Sequence, residues 1–195
     1  MKHLRKYIRD ILLEGMLSAD SLPQGTYFSF SDGRSEFELT VYAPTIAYDE
    51  EEDIVEDETI EKRKIGSLRA RPMRSCLGAY ELFWIHARSD FSGLGPMMTD
   101  LGMEILNARH NAPLALDRNN VSHEARDMFE YYIINRSREV NIVPLDPEEC
   151  PSPAADYHKS KYGYSREPLK SPFYVAIQKH DGNTFESLSG MLHEE

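Results

Sequence analysis

Residues 79–98 read AYELFWIHARSDFSGLGPMM, and the fold turns on them. Leu82, Phe83, Trp84 and Ile85 in succession predict a central strand covered on both faces. A polar turn carrying Gly93-x-Gly95 follows. Pro96 then suits the first position of a helix, where no N–H is missed. A strand running through a glycine turn into a helix N-terminus is a place to hold a phosphate, since exposed N–H groups and the helix dipole both favour an anion. A tight turn without a ligand accounts for the same residues.

Working outward, residues 26–31 and 35–42 alternate at period two around Asp32-Gly33-Arg34, which predicts a hairpin. Phe37, Leu39 and Val41 fall on one face, with Glu36, Glu38 and Thr40 on the other. A third strand is expected over 64–70 and the fourth over 77–87. The helix opened by Pro96 runs to about Arg109, with Met97, Leu101, Met103 and Ile105 as its apolar stripe and Glu104 beside it. A short fifth strand at 113–116, a helix from the N-cap Ser122 to about Asn135, and a sixth strand at 140–145 complete the pattern. Beyond Asp146 periodicity fades, and 173–177 and 185–192 read as short elements packed on the domain.

The chain has 195 residues, enough for one sizeable core. Its net charge of −11 argues against general nucleic-acid binding. Much of the excess lies in one run, residues 49–61, which reads as a solvated loop. Its acids lack the alternating spacing and internal glycine of an EF-hand calcium loop. Cys76 and Cys150 are the only cysteines and sit in no zinc-ligand spacing, so neither a disulfide framework nor a metal site is expected. No apolar run approaches the roughly 20 residues of a membrane span.

Residues 1–17 form a basic amphipathic stretch with Leu4, Ile8, Ile11 and Leu12 on one stripe and Lys2, Arg5, Lys6 and Arg9 on much of the rest. It reads as a helix docked on its own domain, a membrane-surface or partner-binding helix, or a targeting tag.

Hairpin, two strands, glycine turn, helix, strand, helix, strand: this order, with RSDFSGLGPMMTDLGMEI, resembles the GCN5-related N-acetyltransferase (GNAT) family over about residues 26–145. The resemblance implies an α/β fold of the α+β kind, a central mixed sheet flanked by helices, with acetyl-coenzyme A (acetyl-CoA) in a gap where the fourth strand splays from the fifth. It places the cofactor on Ile85, Ala87, Ser92, Gly93, Leu94, Gly95, Pro96 and Met97. The family's pyrophosphate loop begins with Gln or Arg, whereas this chain has Asp90, and Arg88 is the nearby positive charge. The family's tyrosine acid falls at Phe129, and Tyr132, one turn on, is the substitute; packing is the other role open to it. Glu81 matches the glutamate base of some members, and equally an ion-pair partner for Arg69 or Arg71. His86, at the strand exit, is a further candidate base. The acceptor is an unspecified amine. GLGPMMTDLGMEI, LALDRNNVS and ARDMFEYYIINRSREV look like a GNAT-like group in tailed bacteriophages. Leu12-Leu13-Glu14 resembles a prohead-protease site, which implies residues 1–15 as a contact to capsid or prohead protease. Residues 1–17, 26–145 and 146–195 are then targeting peptide, domain and extension, in host cytoplasm or virion interior.

Overall fold

The computed structural model describes residues 18–44, 62–73, 78–117, 121–145 and 175–194. The basic N-terminal stretch, the acidic run and both cysteines lie outside them.

The hairpin forms where the turn residues put it. β1 (Tyr27–Asp32) pairs antiparallel with β2 (Phe37–Pro44), Asp32 opposite Phe37. Phe37, Leu39 and Val41 are all fully buried, as the alternation requires. β3 (Lys62–Pro72) pairs with β2, and β4 (Tyr80–Ala87) with β3, both antiparallel. Helix α1 (Leu94–His110) then crosses to β5 (Leu114–Leu116), which lies parallel to β4. Helix α2 (His123–Asn135) leads to β6 (Val140–Pro144). β7 (Val175–Lys179), a short helix α3 (Asn183–Leu188) and β8 (Leu192–Glu194) close the chain. The eight strands form one mixed sheet in the order β6-β7-β5-β4-β3-β2-β1-β8, so the architecture is α+β.

Two departures from the sequence reading matter. β7 is not peripheral: it is inserted between β5 and β6, with all five residues buried. The sheet is therefore not finished at Leu145. Nor is β4 covered on both faces along its length. Its register against β3 slips, with Arg69 opposite Trp84 and Ala70 opposite Leu82, so Phe83 is an extra residue. Such a bulge reverses which face the following side chains take. Tyr80 and Leu82 are buried, whereas Trp84 is 53% exposed and His86 is exposed beside it. The LFWI run crosses the bulge, and its periodicity is lost there.

Helix α1 is buried nearly all round, from Met97 to Leu106 without a break. It lies against β3, where a Cβ on Gly66 would meet Leu94 at 2.9 Å and Met98 at 3.0 Å. That close approach seats the N-terminal end of α1 on the sheet. Leu94, Met98, Leu101 and Leu106 join Phe37, Leu39, Leu68, Leu116 and Phe129 in the main core. Each such side chain contributes about 1.5–3 kcal/mol on burial. Ser122 caps α2, its Oγ accepting from the Ala125 N–H at 3.1 Å. Among the described residues no helix is long and apolar enough to cross a membrane.

Candidate functional site

β5 is only three residues long, and its length shapes the site. It pairs with Tyr80, Glu81 and Leu82, and Asp117 N–H donates to Leu82 C=O at 3.0 Å as a last rung. Beyond it, among the described residues, Trp84 to Ala87 pair with β3 alone. Arg88 N–H donates to Ile65 C=O at 3.0 Å. The alternation of an antiparallel ladder then turns the backbone groups of Ile85 and Ala87 away from β3, toward the side that β5 has left.

The chain reaches α1 through two successive turns, Phe91 N–H to Arg88 C=O at 3.0 Å and Leu94 N–H to Phe91 C=O at 3.2 Å. Gly93 is the N-cap, with φ +87°. The helix thus begins two residues before Pro96, which takes the third position instead of the first. Its missing N–H is harmless there too, because the first four lack intrahelical acceptors. Leu94 and Met97 both spend their N–H groups on backbone carbonyls, Met97 on Gly93 C=O at 3.2 Å, and bury their side chains. Ser92 is exposed. Gly95 is different in kind from Gly93. Among the described residues a Cβ on it would meet Ile85 Cδ1 alone, at 3.9 Å, and its φ is not positive. The fold does not require glycine at 95, and the bare backbone there faces Ile85 in the unpaired half of β4.

Asp90 does not stand as an isolated negative charge. Arg88 Nε and Nη2 donate to its two carboxylate oxygens, each at 3.0 Å. The hydrogen bonds from Arg88 hold the Asp90 carboxyl below its ordinary value. The pair is exposed, so the arginine is held lightly and beside the turn.

Both the proposed acid and the proposed base are engaged by other side chains. Glu81 lies in the half of β4 that β5 covers, and accepts from Arg71 Nε at 3.0 Å and Nη2 at 2.5 Å. Glu81 does so first among the groups that hold the Arg71 guanidinium above its usual value, with Asp117 and Glu36 adding to it. Of the two sequence readings of Glu81, the ion pair is the one formed. Phe129 is fully buried in the core. Tyr132 is 1% exposed. Its hydroxyl donates to Asp100 and lies 3.2 Å from Pro96 C=O.

Tyr132 belongs to a buried polar cluster that the sequence reading missed. Asp100, with no exposed surface, receives Arg136 Nη1 and Nη2 at 2.9 Å each. Lys179, 3% exposed, donates to Glu104 at 2.5 Å and approaches Asp100 at 3.4 Å. Glu104 also accepts from Thr184 N–H at 3.1 Å and Phe185 N–H at 2.6 Å, capping α3 from a different helix. The signal in the sequence was two acids four apart on an otherwise apolar helix, which share a face.

This cluster sets an alkaline limit. Burial raises the Tyr132 phenol well above its ordinary 10.0, the Asp100 charge adding to it. Burial pulls Lys179 down, but Asp100 and Glu104 outweigh it and leave the ammonium above its ordinary 10.5. Both groups keep protons in the fold that the unfolded chain releases, so their contribution is present below about pH 10 and lost above it. Melting temperature is expected to fall as pH rises past 10, and less steeply in Tyr132→Phe. Equal slopes in the two proteins would separate Tyr132 from the effect.

Among the described residues no group of three or more His, Cys, Asp or Glu is arranged to hold a metal ion. No protein-family model, no curated protein and no solved structure matches this chain.

Proposed function

We propose that the chain is a GNAT-like N-acetyltransferase that transfers acetyl from acetyl-CoA to an amine. One observation carries the reading: among the described residues β5 pairs with β4 no further than Leu82, and Gly95 in the first turn of α1 stands beside Ile85 in the half of β4 beyond it. A splayed fourth strand with a phosphate turn at its exit is what the resemblance to that family implies. The residues also fit the group. Gly95 offers backbone with no Cβ in the way, and nothing among the described residues needs it bare. Gly93 shapes the turn, Ser92 adds a hydroxyl, and Ile85 and Ala87 present N–H and C=O groups to an amide-bearing chain laid along β4.

Acetyl-CoA, when bound, supplies the thioester carbonyl that the amine attacks directly. The protein's part in this reading is to hold and orient. Glu81 is engaged with Arg71, and Tyr132 is closed off, so neither supplies or takes a proton without rearrangement. Calorimetric titration with acetyl-CoA is the test, and no heat at millimolar ligand ends the reading. Asp90→Asn releases Arg88 for the phosphates and is expected to tighten binding several-fold at low salt; unchanged affinity would mean Arg88 plays no part.

A second reading keeps the fold without catalysis: an inactive GNAT-like phage protein, packaged in or associated with the virion. Buried Phe129 and the sealed Tyr132 hydroxyl favour it. Production alongside a prohead protease, followed by mass spectrometry, is expected to give a chain beginning at Gly15. Recovery with Met1 to Glu14 still attached would count against processing at that site.

A further inference from the structure

We propose that Tyr132, held by Asp100 and Arg136, is a positioning residue for the first turn of α1 and not a proton donor. Its consequence for acetyl-CoA rests on the reading above; its consequence for the turn does not.

The geometry is direct. The Tyr132 hydroxyl spans two groups of α1, the Asp100 carboxylate and Pro96 C=O, the latter adjoining Gly95. A side chain of α2 therefore grips the end of α1 at which Gly95 lies beside Ile85 of β4. Arg136 fixes the grip from the far end of α2. It clamps both oxygens of Asp100, anchors on Glu139 at 2.9 Å through Nε, and lies over the Tyr132 ring at 4.8 Å. One turn along α1, Glu104 is tied to Lys179 of β7 and to the start of α3. Two acids at i and i+4, each bound to a different element, fix both the rotation of α1 and its position along its own axis.

Apolar packing alone would not do this. Met97, Met98 and Leu101 are adaptable side chains, and a stripe of them tolerates small axial shifts. Buried ion pairs are weak sources of stability, and their best-attested use is to fix register. Gly93 and Gly95 leave the turn with much backbone freedom, so an outside bond to Pro96 has something to restrain.

Amide hydrogen exchange in Tyr132→Phe is the test, with Arg109→Ala, at the opposite end of α1, as control. In Tyr132→Phe the amides from Gly93 to Thr99 are expected to exchange about tenfold faster, while those from Ile105 to His110 keep their rates. The control leaves Gly93 to Thr99 unchanged. Acetyl-CoA affinity falls about tenfold with the turn. Uniform acceleration along α1, or none, overturns the proposal, as does full acetyl-CoA affinity with a loosened turn. Should Tyr132→Phe fold poorly, Arg136→Lys, which keeps a cation beside Asp100 but gives up the two-pronged hold, gives the same local readout. Absence of acetyl-CoA binding in the unaltered protein refutes the proposed function alone, and the exchange pattern still decides the positioning.

Discussion

Asp100→Ala is expected to lower the unfolding free energy by about 3–5 kcal/mol, a large share of the stability of a domain this size. The loss comes from what stays behind. Among the described residues Arg136 would keep a buried guanidinium with the half-exposed Glu139 as its one remaining acidic partner, and Tyr132 would lose its main acceptor. Burial opposes the charge on Arg136, and the hydrogen bonds it donates to Asp100 and Glu139 are what raise its pKa in spite of that. Removing both charges together is expected to cost far less. Asp100→Leu with Arg136→Met leaves the Glu104–Lys179 pair intact, so no buried charge is stranded. Urea denaturation of the single and double variants checks this. A double variant as unstable as Asp100→Ala would mean that the pair itself, not its imbalance, supplies the stability.

The contrast between local and distant signals explains what could be read from the chain. The Asp32-Gly33 turn, the Ser122 cap and the glycine turn after β4 are each settled within a few residues, and each stands where local chemistry puts it. Trp84 is the instructive failure. Its apolar neighbours suggest a doubly covered strand, but a bulge at Phe83 depends on how β3 is paired, which no window of β4 contains. Glu104 stands out in the sequence as an acid beside an apolar stripe, and Asp100, four residues earlier, shares its face. Their partners, Arg136 and Lys179, lie 36 and 75 residues further on, and long-range ion pairs leave no periodic trace. Tyr132 illustrates both limits. Helical spacing correctly set it one turn from Phe129, yet spacing could not tell a hydroxyl that faces a cleft from one sealed against another helix.

Gly95→Glu is expected to abolish acetyl-CoA binding, by at least about a hundredfold or roughly 3 kcal/mol, while leaving the fold intact. The two outcomes come from the same geometry. Among the described residues, Ile85 Cδ1 at 3.9 Å is the one atom from outside the helix within 4 Å of a Cβ at this position, so these residues leave room for a side chain. A carboxylate in the first helical turn even suits the helix dipole. Toward a pyrophosphate the same carboxylate is a like charge in the seat where the backbone should approach. Gly93→Ala is expected to behave in the opposite sense. Its φ of +87° is a strain for any residue with a Cβ, costing about 1–2 kcal/mol of stability whether or not a ligand exists. Thermal melts and calorimetry on the two variants therefore divide the turn's two roles. If Gly95→Glu binds acetyl-CoA as the unaltered protein does, the turn is a structural corner only. If Gly93→Ala melts unchanged, the left-handed N-cap is not what holds the helix start.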